Sequence, residues 1–240
     1  MENDVTIFIC THKDVNLPVS NEKYSVLDSR KIKDEGITYM GLDDKFWSEI
    51  LGMFYVYDNV KLGKYVGFCH YRRFFSFLDN IPDMDEIFKQ HNAILTIPNA
   101  FMDENNEKKS MREQYNISHR KEDLDIIESI IKEKYKSYYD AFMWTMDKAD
   151  FFPCNMFIMR TDDFYRYIEF IRGVMEEYIK RIGGDFNKYF KENLNTFENG
   201  VGDANYQYRL GGFLAERLTN VFVSKNFRQV QVYGIVMTEQ

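Results

Sequence analysis

The stretch YVGFCHYRRFF at positions 65–75 joins a buried-strand pattern to an abrupt polar and aromatic end. Its first four residues are apolar, aromatic or glycine, and they predict a short strand inside a sheet. His70, Tyr71, Arg72 and Arg73 follow directly. Ligands of open α/β sheets bind beyond the carboxyl ends of the strands, and guanidinium groups there can hold phosphate or carboxylate in bidentate hydrogen bonds. The alternative interpretation is that both arginines form ion pairs with acidic side chains.

The composition is that of an ordinary globular protein with one core. The chain has 240 residues and a net charge of −7, with 45% hydrophobic and 29% charged residues. No shift in composition marks a boundary, so we predict a single domain over residues 1–240. The negative charge argues against non-specific binding of nucleic acid. The 17 tyrosines offer flat apolar faces with polar tips, which suit ligands such as sugars and bases.

No segment has the pattern of an export signal or a membrane span. Residues 1–4 include two acids and lead into a predicted strand, without the positive and apolar regions of a signal peptide. No apolar run reaches the roughly 18–20 residues that cross a bilayer. The three cysteines are too few for a disulfide framework. We therefore expect a cytoplasmic protein, and peripheral contact with the inner face of the membrane is compatible with this expectation.

Strand-like and helix-like segments alternate, which predicts an α/β fold with a mostly parallel central sheet flanked by helices. The predicted strands cover residues 5–10, 65–68, 93–97, 155–159 and 229–236. The predicted helices cover residues 43–58, 84–91, 121–135, 137–148, a segment from Asp162 or Asp163 as cap to Gly183-Gly184, and 210–222. The polar segments 15–41, 103–122 and 185–202 are predicted to be loops, and the last of them a flexible lid.

Three further polar groups of residues adjoin predicted elements. Thr11 and His12 follow the first strand, where α/β nucleotide-binding folds contact a base or ribose; a solvated loop is the alternative. Asn155 stands among apolar residues, where an amide either satisfies backbone groups or binds a ligand. Arg217 falls within the apolar stripe of its helix, and Glu216 lies on the opposite flank. Because an unpaired buried guanidinium is costly, Arg217 is expected to meet a carboxylate or an anionic ligand.

A metal site is not indicated. The segments DMD (83–85) and DLD (123–125) lie in predicted helices rather than after strands, so we interpret their acids as structural. Cys10-x-His12 and Cys69-His70 could combine into a zinc site only if their strands were neighbours, and no CxxC or HxxxH spacing supports one. We expect no tightly bound cofactor; a divalent metal, Mn²⁺ or Mg²⁺, stays an open alternative that no suitably placed DxD motif supports. Walker A, GxGxxG and GxSxG motifs are also missing from the sequence.

Four segments carry a resemblance to a known family: FICTHKD (8–14), GFCHYRRFF (67–75), NMFIM (155–159) and GFLAERL (212–218). Glu49, before the second segment, and His119, before the third, fit the same pattern. On these motifs the chain resembles the DUF4422 family, bacterial proteins usually encoded with capsule, exopolysaccharide and lipopolysaccharide genes. The resemblance extends over nearly the whole chain.

The resemblance implies a GT-A-like (Rossmann-like), hexosyltransferase-like enzyme. It would move a sugar from a nucleotide-diphosphate donor, a UDP-sugar, to a glycan or lipid-linked glycan acceptor. The expected site residues are Thr11, His12, Arg72, Arg73 and Arg217 for the donor and its phosphates, Glu216 as general base with His70 as a second catalytic group, and Tyr71, Asn155 and His119 for sugar and acceptor. The alternative is a non-catalytic module that binds glycans or nucleotide sugars. The oligomeric state stays open.

Overall fold

The computed structural model describes residues 5–238. Residues 1–4, on which the expectation of no export signal partly rests, lie outside the described residues. The strands are β1 (Val5–Thr11), β2 (Tyr24–Asp28), β3 (Tyr65–His70), β4 (Arg73–Phe75), β5 (Ala93–Thr96), β6 (Asn99–Met102), β7 (Lys108–Lys109), β8 (Asp150–Phe151), β9 (Phe157–Arg160), β10 (Val230–Tyr233) and β11 (Ile235–Met237). The helices are α1 (Ser29–Asp34), α2 (Asp44–Trp47), α3 (Ile50–Asn59), α4 (Met84–Gln90), α5 (Met111–Ser118), α6 (Lys121–Lys134), α7 (Tyr139–Met146), α8 (Thr161–Arg181), α9 (Phe186–Glu192), α10 (Leu194–Phe197), α11 (Ala204–Gln207) and α12 (Leu210–Asn226), with a 3-10 turn at Lys136–Tyr138.

The central sheet has the strand order β10-β5-β9-β3-β1-β2. Outside this order, β4 pairs with β3, and β11 pairs with β4. Strand β1 pairs in parallel with both β2 and β3, and β10 pairs in parallel with β5. Strand β9 runs antiparallel between β3 and β5. Five of these six strands therefore point the same way, and the predicted α/β fold with a mostly parallel sheet and flanking helices is confirmed.

Each face of the sheet is covered by its own apolar layer. Along β1, Phe8 and Cys10 pack on one side, while Ile7 and Ile9 pack on the other, as the alternation of side chains along a strand requires. Helices α3, α6, α7, α8 and α12 cover the first side. Strand β4, helix α4 and the chain around Val19 cover the second. Parallel strands need this cover because both of their faces are apolar.

The strand order creates a crevice between β1 and β3. From β1 the chain passes to β2 on one side and then returns to β3 on the other side. Cys10 lies opposite His70 in the parallel pair, and the Tyr71 backbone N–H donates to the Cys10 carbonyl at 3.1 Å. Ligands of open α/β sheets bind where the strand order reverses in this way. The fold thus brings the chain after β1 and the chain after β3 to one edge.

The three segments that were predicted to be loops contain regular structure. Residues 15–41 include β2 and α1, residues 103–122 include β7 and α5, and residues 185–202 include α9 and α10. The loop predictions are therefore wrong for these parts. These elements are short and mostly polar, so they carry little hydrophobic periodicity and depend on pairing and capping. Helix α5, for example, begins in a capping box between Ser110 and Glu113.

Three element boundaries also differ from their predictions. The helix predicted over 43–58 is two helices, because Ser48 takes a left-handed φ of +53° between α2 and α3. The cap of α8 is Arg160, while Asp163 pairs with Arg166 in the first turn. The end of α8 at Gly183-Gly184 is confirmed, since both glycines have positive φ. The last predicted strand divides into β10 and β11.

Helix α8 is 21 residues long, but its outer face is polar. Between Val5 and Thr238, no helix combines the length and the apolar character needed to cross a membrane.

Candidate functional site

A cavity of about 1260 Å³ opens over the carboxyl ends of β1 and β3. One wall comes from the ends of β1, β2 and β3 together with the chain around α2. Further lining comes from α5, α11 and α12, and α12 packs directly against α2. All of the predicted site residues but Asn155 line the cavity. They are Thr11, His12, His70, Tyr71, Arg72, Arg73, His119, Glu216 and Arg217.

Arg72 and Arg73 reach this cavity from the tight turn between β3 and β4. His70 pairs with Arg73 across that turn, so Tyr71 and Arg72 form its tip. Within residues 5–238, neither guanidinium has an acidic partner or a side-chain hydrogen bond; Arg72 lies 5.2 Å from the centre of the Tyr71 ring. The ion-pair interpretation of the two arginines is therefore wrong for the described chain. Both cations are available to an anionic ligand.

Tyr71 is the centre of a small group of side chains at the end of β1. The His12 ring meets it edge-on at 5.1 Å, and the Lys13 ammonium lies 5.1 Å from its ring centre. Burial and the nearby Arg209 guanidinium lower the pKa of His12. The Thr11 hydroxyl donates to the Lys13 carbonyl at 2.7 Å and so closes the turn after the strand.

His70 and Glu216 are joined through the backbone of Cys154. His70 Nε2 lies 2.7 Å from the Cys154 carbonyl oxygen, and because a carbonyl only accepts, this nitrogen carries the hydrogen. The Cys154 backbone N–H donates to Glu216 Oε1 at 2.6 Å. Burial raises the pKa of the Cys154 thiol to about 12, so the thiol stays protonated.

Arg217 satisfies the expectation that its buried guanidinium meets a carboxylate. The side chain is 3% exposed, and Nη1 donates to Glu216 Oε2 at 2.8 Å and to the Phe213 carbonyl at 3.1 Å. Nη2 donates to Gln114, and the guanidinium lies 5.1 Å from the Tyr115 ring. Both oxygens of Glu216 are thus held by donors, which fixes the carboxylate at the cavity wall.

Asn155 lies beneath the cavity rather than in its lining. It is 2% exposed; its Nδ2 donates to Glu49 Oε1 and its Oδ1 accepts from Thr219 Oγ1, both at 2.7 Å. Cys154 and Asn155 both take left-handed backbone conformations, with φ of +69° and +50°, which such contacts must hold in place. The structure thus places Asn155 under the lining and in contact with Glu49 and Thr219, and its predicted role in binding sugar hydroxyls stays a prediction.

Glu49 is a site residue that the residue pattern alone did not single out. It lines the cavity, and its Oε1 lies 3.9 Å from His70 Nε2. Its only sequence signal was its position just before the apolar helix α3, within the family resemblance. Arg209 also lines the cavity, although no role was predicted for it; its Nε donates to Ser48 Oγ at 3.0 Å.

His119 is a largely buried neutral imidazole. It is 7% exposed and stacks on Phe213 with ring centres 4.0 Å apart. Its Nδ1 lies 3.1 Å from Gln207 Oε1, which only accepts, so Nδ1 carries the hydrogen. Burial, with a smaller contribution from Arg217, lowers the pKa of His119 to about 3.

The acids of the two Asp-x-Asp segments lie outside the cavity lining. Asp83 caps α4 through the Glu86 backbone N–H, Asp85 pairs with Lys64, and Asp123 is buried against Arg120. In the part of the chain that the structure covers, no three His, Cys, Asp or Glu side chains form a cluster suited to a metal ion. The acids of the two Asp-x-Asp segments are therefore not placed to hold a divalent metal in this cavity.

The zinc alternative also fails on geometry. Strands β1 and β3 are neighbours, as it requires. However, Cys10 packs in the apolar layer on one face of the sheet and Cys69 packs in the layer on the other face.

Comparison with known proteins identifies a family and a similar solved structure. No curated protein matches the sequence. The apo structure of the bifunctional glycosyltransferase WbbM is similar, with a TM-score of 0.76 and 18% identity over 99% of this chain and 46% of that chain. The chain therefore spans less than half of that protein, and the likeness shows the fold. The family described as a domain of unknown function, DUF4422, matches residues 6–227. Since this match covers most of the 240 residues, the chain belongs to the DUF4422 family.

Proposed function

We propose that this protein is a GT-A-like glycosyltransferase that moves a hexose from a nucleotide-diphosphate donor, a UDP-sugar, to a bacterial surface polysaccharide or lipid-linked glycan. The observation that carries the proposal is the pair of unpartnered guanidinium groups, Arg72 and Arg73, in the cavity over the β1–β3 crevice. The similar fold of a bifunctional glycosyltransferase supports it.

The donor side of the reaction needs cations where negative charge develops. As the bond between the sugar C1 and its phosphate oxygen breaks, the nucleoside diphosphate leaves with the electron pair. Cations already fixed at that point stabilise the transition state. Arg72 and Arg73 can do so without first giving up an acidic partner. We assign Thr11 and His12 to the nucleotide and Tyr71 to the hydroxyls of the donor sugar.

The acceptor side needs a group that takes a proton. We assign this role to Glu216, which accepts the proton of the acceptor hydroxyl as its oxygen attacks C1. Arg217 holds the Glu216 carboxylate in place through their 2.8 Å ion pair. We assign His70 to the donor phosphates beside the two arginines, and the bond from its Nε2 to the Cys154 carbonyl fixes its ring.

In this mechanism the arginine side chains supply the positive charge that a divalent metal supplies in other enzymes. The contacts of the Asp-x-Asp acids support this choice, because these acids serve as a helix cap, in ion pairs or in a buried cluster. We therefore expect catalysis to continue in EDTA. Strict dependence on Mn²⁺ would contradict the assignment.

The test is release of UDP from a panel of UDP-sugars, with water as the acceptor. We expect Arg72→Ala to lower the rate about 100-fold, as loss of one transition-state donor commonly does. Glu216→Gln should also lower it, because the amide takes up no proton. Arg228→Ala removes an exposed arginine outside the cavity lining and should keep the wild-type rate.

Two outcomes would contradict the proposal in different ways. Near-normal release by Arg72→Ala would remove that arginine from the phosphate site. Binding of UDP-sugars by the wild-type protein without any release of UDP would favour the non-catalytic binding module instead.

A further inference from the structure

The wall of the cavity formed by α11 and α12 carries an exposed aromatic surface. Tyr206 is 38% exposed and lies in the lining, and its ring centre is 5.0 Å from that of Phe213. His119 stacks on Phe213 at 4.0 Å, and its ring centre is 6.3 Å from that of Tyr206, so the three rings form one cluster. A rigid aromatic surface beside polar groups suits a ligand with an apolar face and a hydroxylated rim, which is the chemistry of a sugar ring.

Arg209 adds hydrogen-bond donors to this surface. Its guanidinium lies 5.8 Å from the Tyr206 ring centre and 5.9 Å from the Phe213 ring centre. Its Nε is used by Ser48 Oγ. Within residues 5–238 the Arg209 side chain has no acidic partner, so its terminal N–H groups are available to ligand oxygens.

The helix places this surface at a fixed distance from the proposed base. Phe213 and Glu216 are three residues apart in α12, so they lie on one side of the helix about 4.5 Å apart along its axis. A sugar ring on Phe213 would therefore present a hydroxyl toward the Glu216 carboxylate. The donor cations Arg72 and Arg73 line the same cavity from a different element, the β3–β4 turn.

The cavity is large for a single small molecule. Its volume of about 1260 Å³ exceeds the roughly 300–1,000 Å³ of a pocket for one small molecule. This volume leaves room for an acceptor ring on the aromatic residues beside a bound donor.

We infer that Tyr206, Phe213 and Arg209 form the acceptor subsite, which binds a hexopyranose ring of the acceptor glycan by stacking. This inference rests on the proposed function and locates the second substrate of the same site. Tyr206 supplies the exposed stacking face, Phe213 the inner edge beside Glu216, and Arg209 the hydrogen bonds to ring hydroxyls.

The experiment measures acceptor binding separately from donor binding. The probes are the methyl and octyl glycosides of glucose, galactose and mannose, titrated by saturation-transfer NMR with UDP present. We expect the wild-type protein to bind at least one glycoside. Tyr206→Ala should raise the Kd of that glycoside about fivefold or more, because it removes one aromatic contact. Tyr206→Phe should bind like the wild type.

The matched control is Trp144→Ala, which removes another exposed aromatic, 57% exposed on α7 and outside the cavity lining. It should leave the glycoside Kd unchanged, and UDP should bind all variants equally. No glycoside binding by the wild type, or equal binding by Tyr206→Ala, would overturn the inference. A wild-type protein that binds no UDP and releases none from UDP-sugars would instead overturn the proposed function.

Discussion

At the scale of single residues, burial fixes the charge of His119, and this gives a prediction about pH. The pKa of His119 is about 3 in the folded protein and about 6.5 in an unfolded chain. As the pH falls below about 6.5, the unfolded chain gains a proton that the folded chain excludes, so stability is lost. Between pH 8 and pH 5 this loss is about 2 kcal/mol. The His119→Phe variant should not show it.

The measurement is the free energy of unfolding in urea at pH 8 and at pH 5. The decrease in the free energy of unfolding from pH 8 to pH 5 should be about 2 kcal/mol smaller for His119→Phe than for the wild type. The absolute stability of the variant will be lower, because Gln207 loses its partner. An unchanged drop in His119→Phe would contradict the burial argument.

The site residues differ in how far the sequence could predict them. Arg72 and Arg73 were predictable because they follow a strand within a few residues, so local sequence gives their place in the sheet. The contact between Asn155 and Glu49 joins residues 106 positions apart. Nothing in either local pattern shows that Asn155 is buried beneath the cavity while Glu49 lines it. Tyr206 was missed for the same reason, since only the packing of α11 on Phe213 makes it part of the site.

At the scale of elements, close packing of α12 against α2 depends on Gly211. A Cβ at this position would lie 2.5 Å from Phe46 Cε1 and 2.9 Å from the Phe46 carbonyl oxygen. Because a backbone atom cannot rotate away, Gly211→Ala should separate the two helices. We expect a loss of about 1–3 kcal/mol, although alanine is the better helix former by about 1 kcal/mol.

The matched control is Gly173→Ala in α8. There the added Cβ meets only the hydroxyl end of the Tyr135 side chain, which can move. Its stability should therefore stay within about 1 kcal/mol of the wild type. Thermal unfolding of the two variants checks this contrast, with about 2–4 °C expected per kcal/mol in a chain of this size. A Gly211→Ala variant that melts with the wild type would show that α12 can shift without cost.

Elements were predictable where many of their residues are buried. Strand β1 and helix α12 are almost continuously buried, so their apolar patterns are strong. Only two of the five residues in β2 are buried, and its place depends on backbone pairing with β1, which leaves no pattern of side chains. The break between α2 and α3 was likewise hidden, because the apolar spacing continues across Ser48 while the backbone turns.

At the scale of the whole molecule, the sheet interleaves distant parts of the chain. Strand β1 lies between β2 and β3, whereas β10 pairs with β5 and β11 pairs with β4. The apolar layer on one face joins residues from Phe8 to Phe227. The two halves of the chain therefore share one sheet and one core, as the prediction of a single domain requires.

This interleaving predicts one cooperative unfolding transition for the full chain. The proposed donor cavity takes lining from both halves, from Thr11 to Arg217, so UDP should stabilise the whole molecule at once. At 100 times its Kd, a ligand that binds only the folded state adds about 2.7 kcal/mol, which corresponds to a rise of about 5–10 °C in Tm. Calorimetry with and without UDP should show one peak that moves as a unit. Two peaks, of which UDP moved only one, would mean that the chain folds as two domains and that the cavity belongs to one of them.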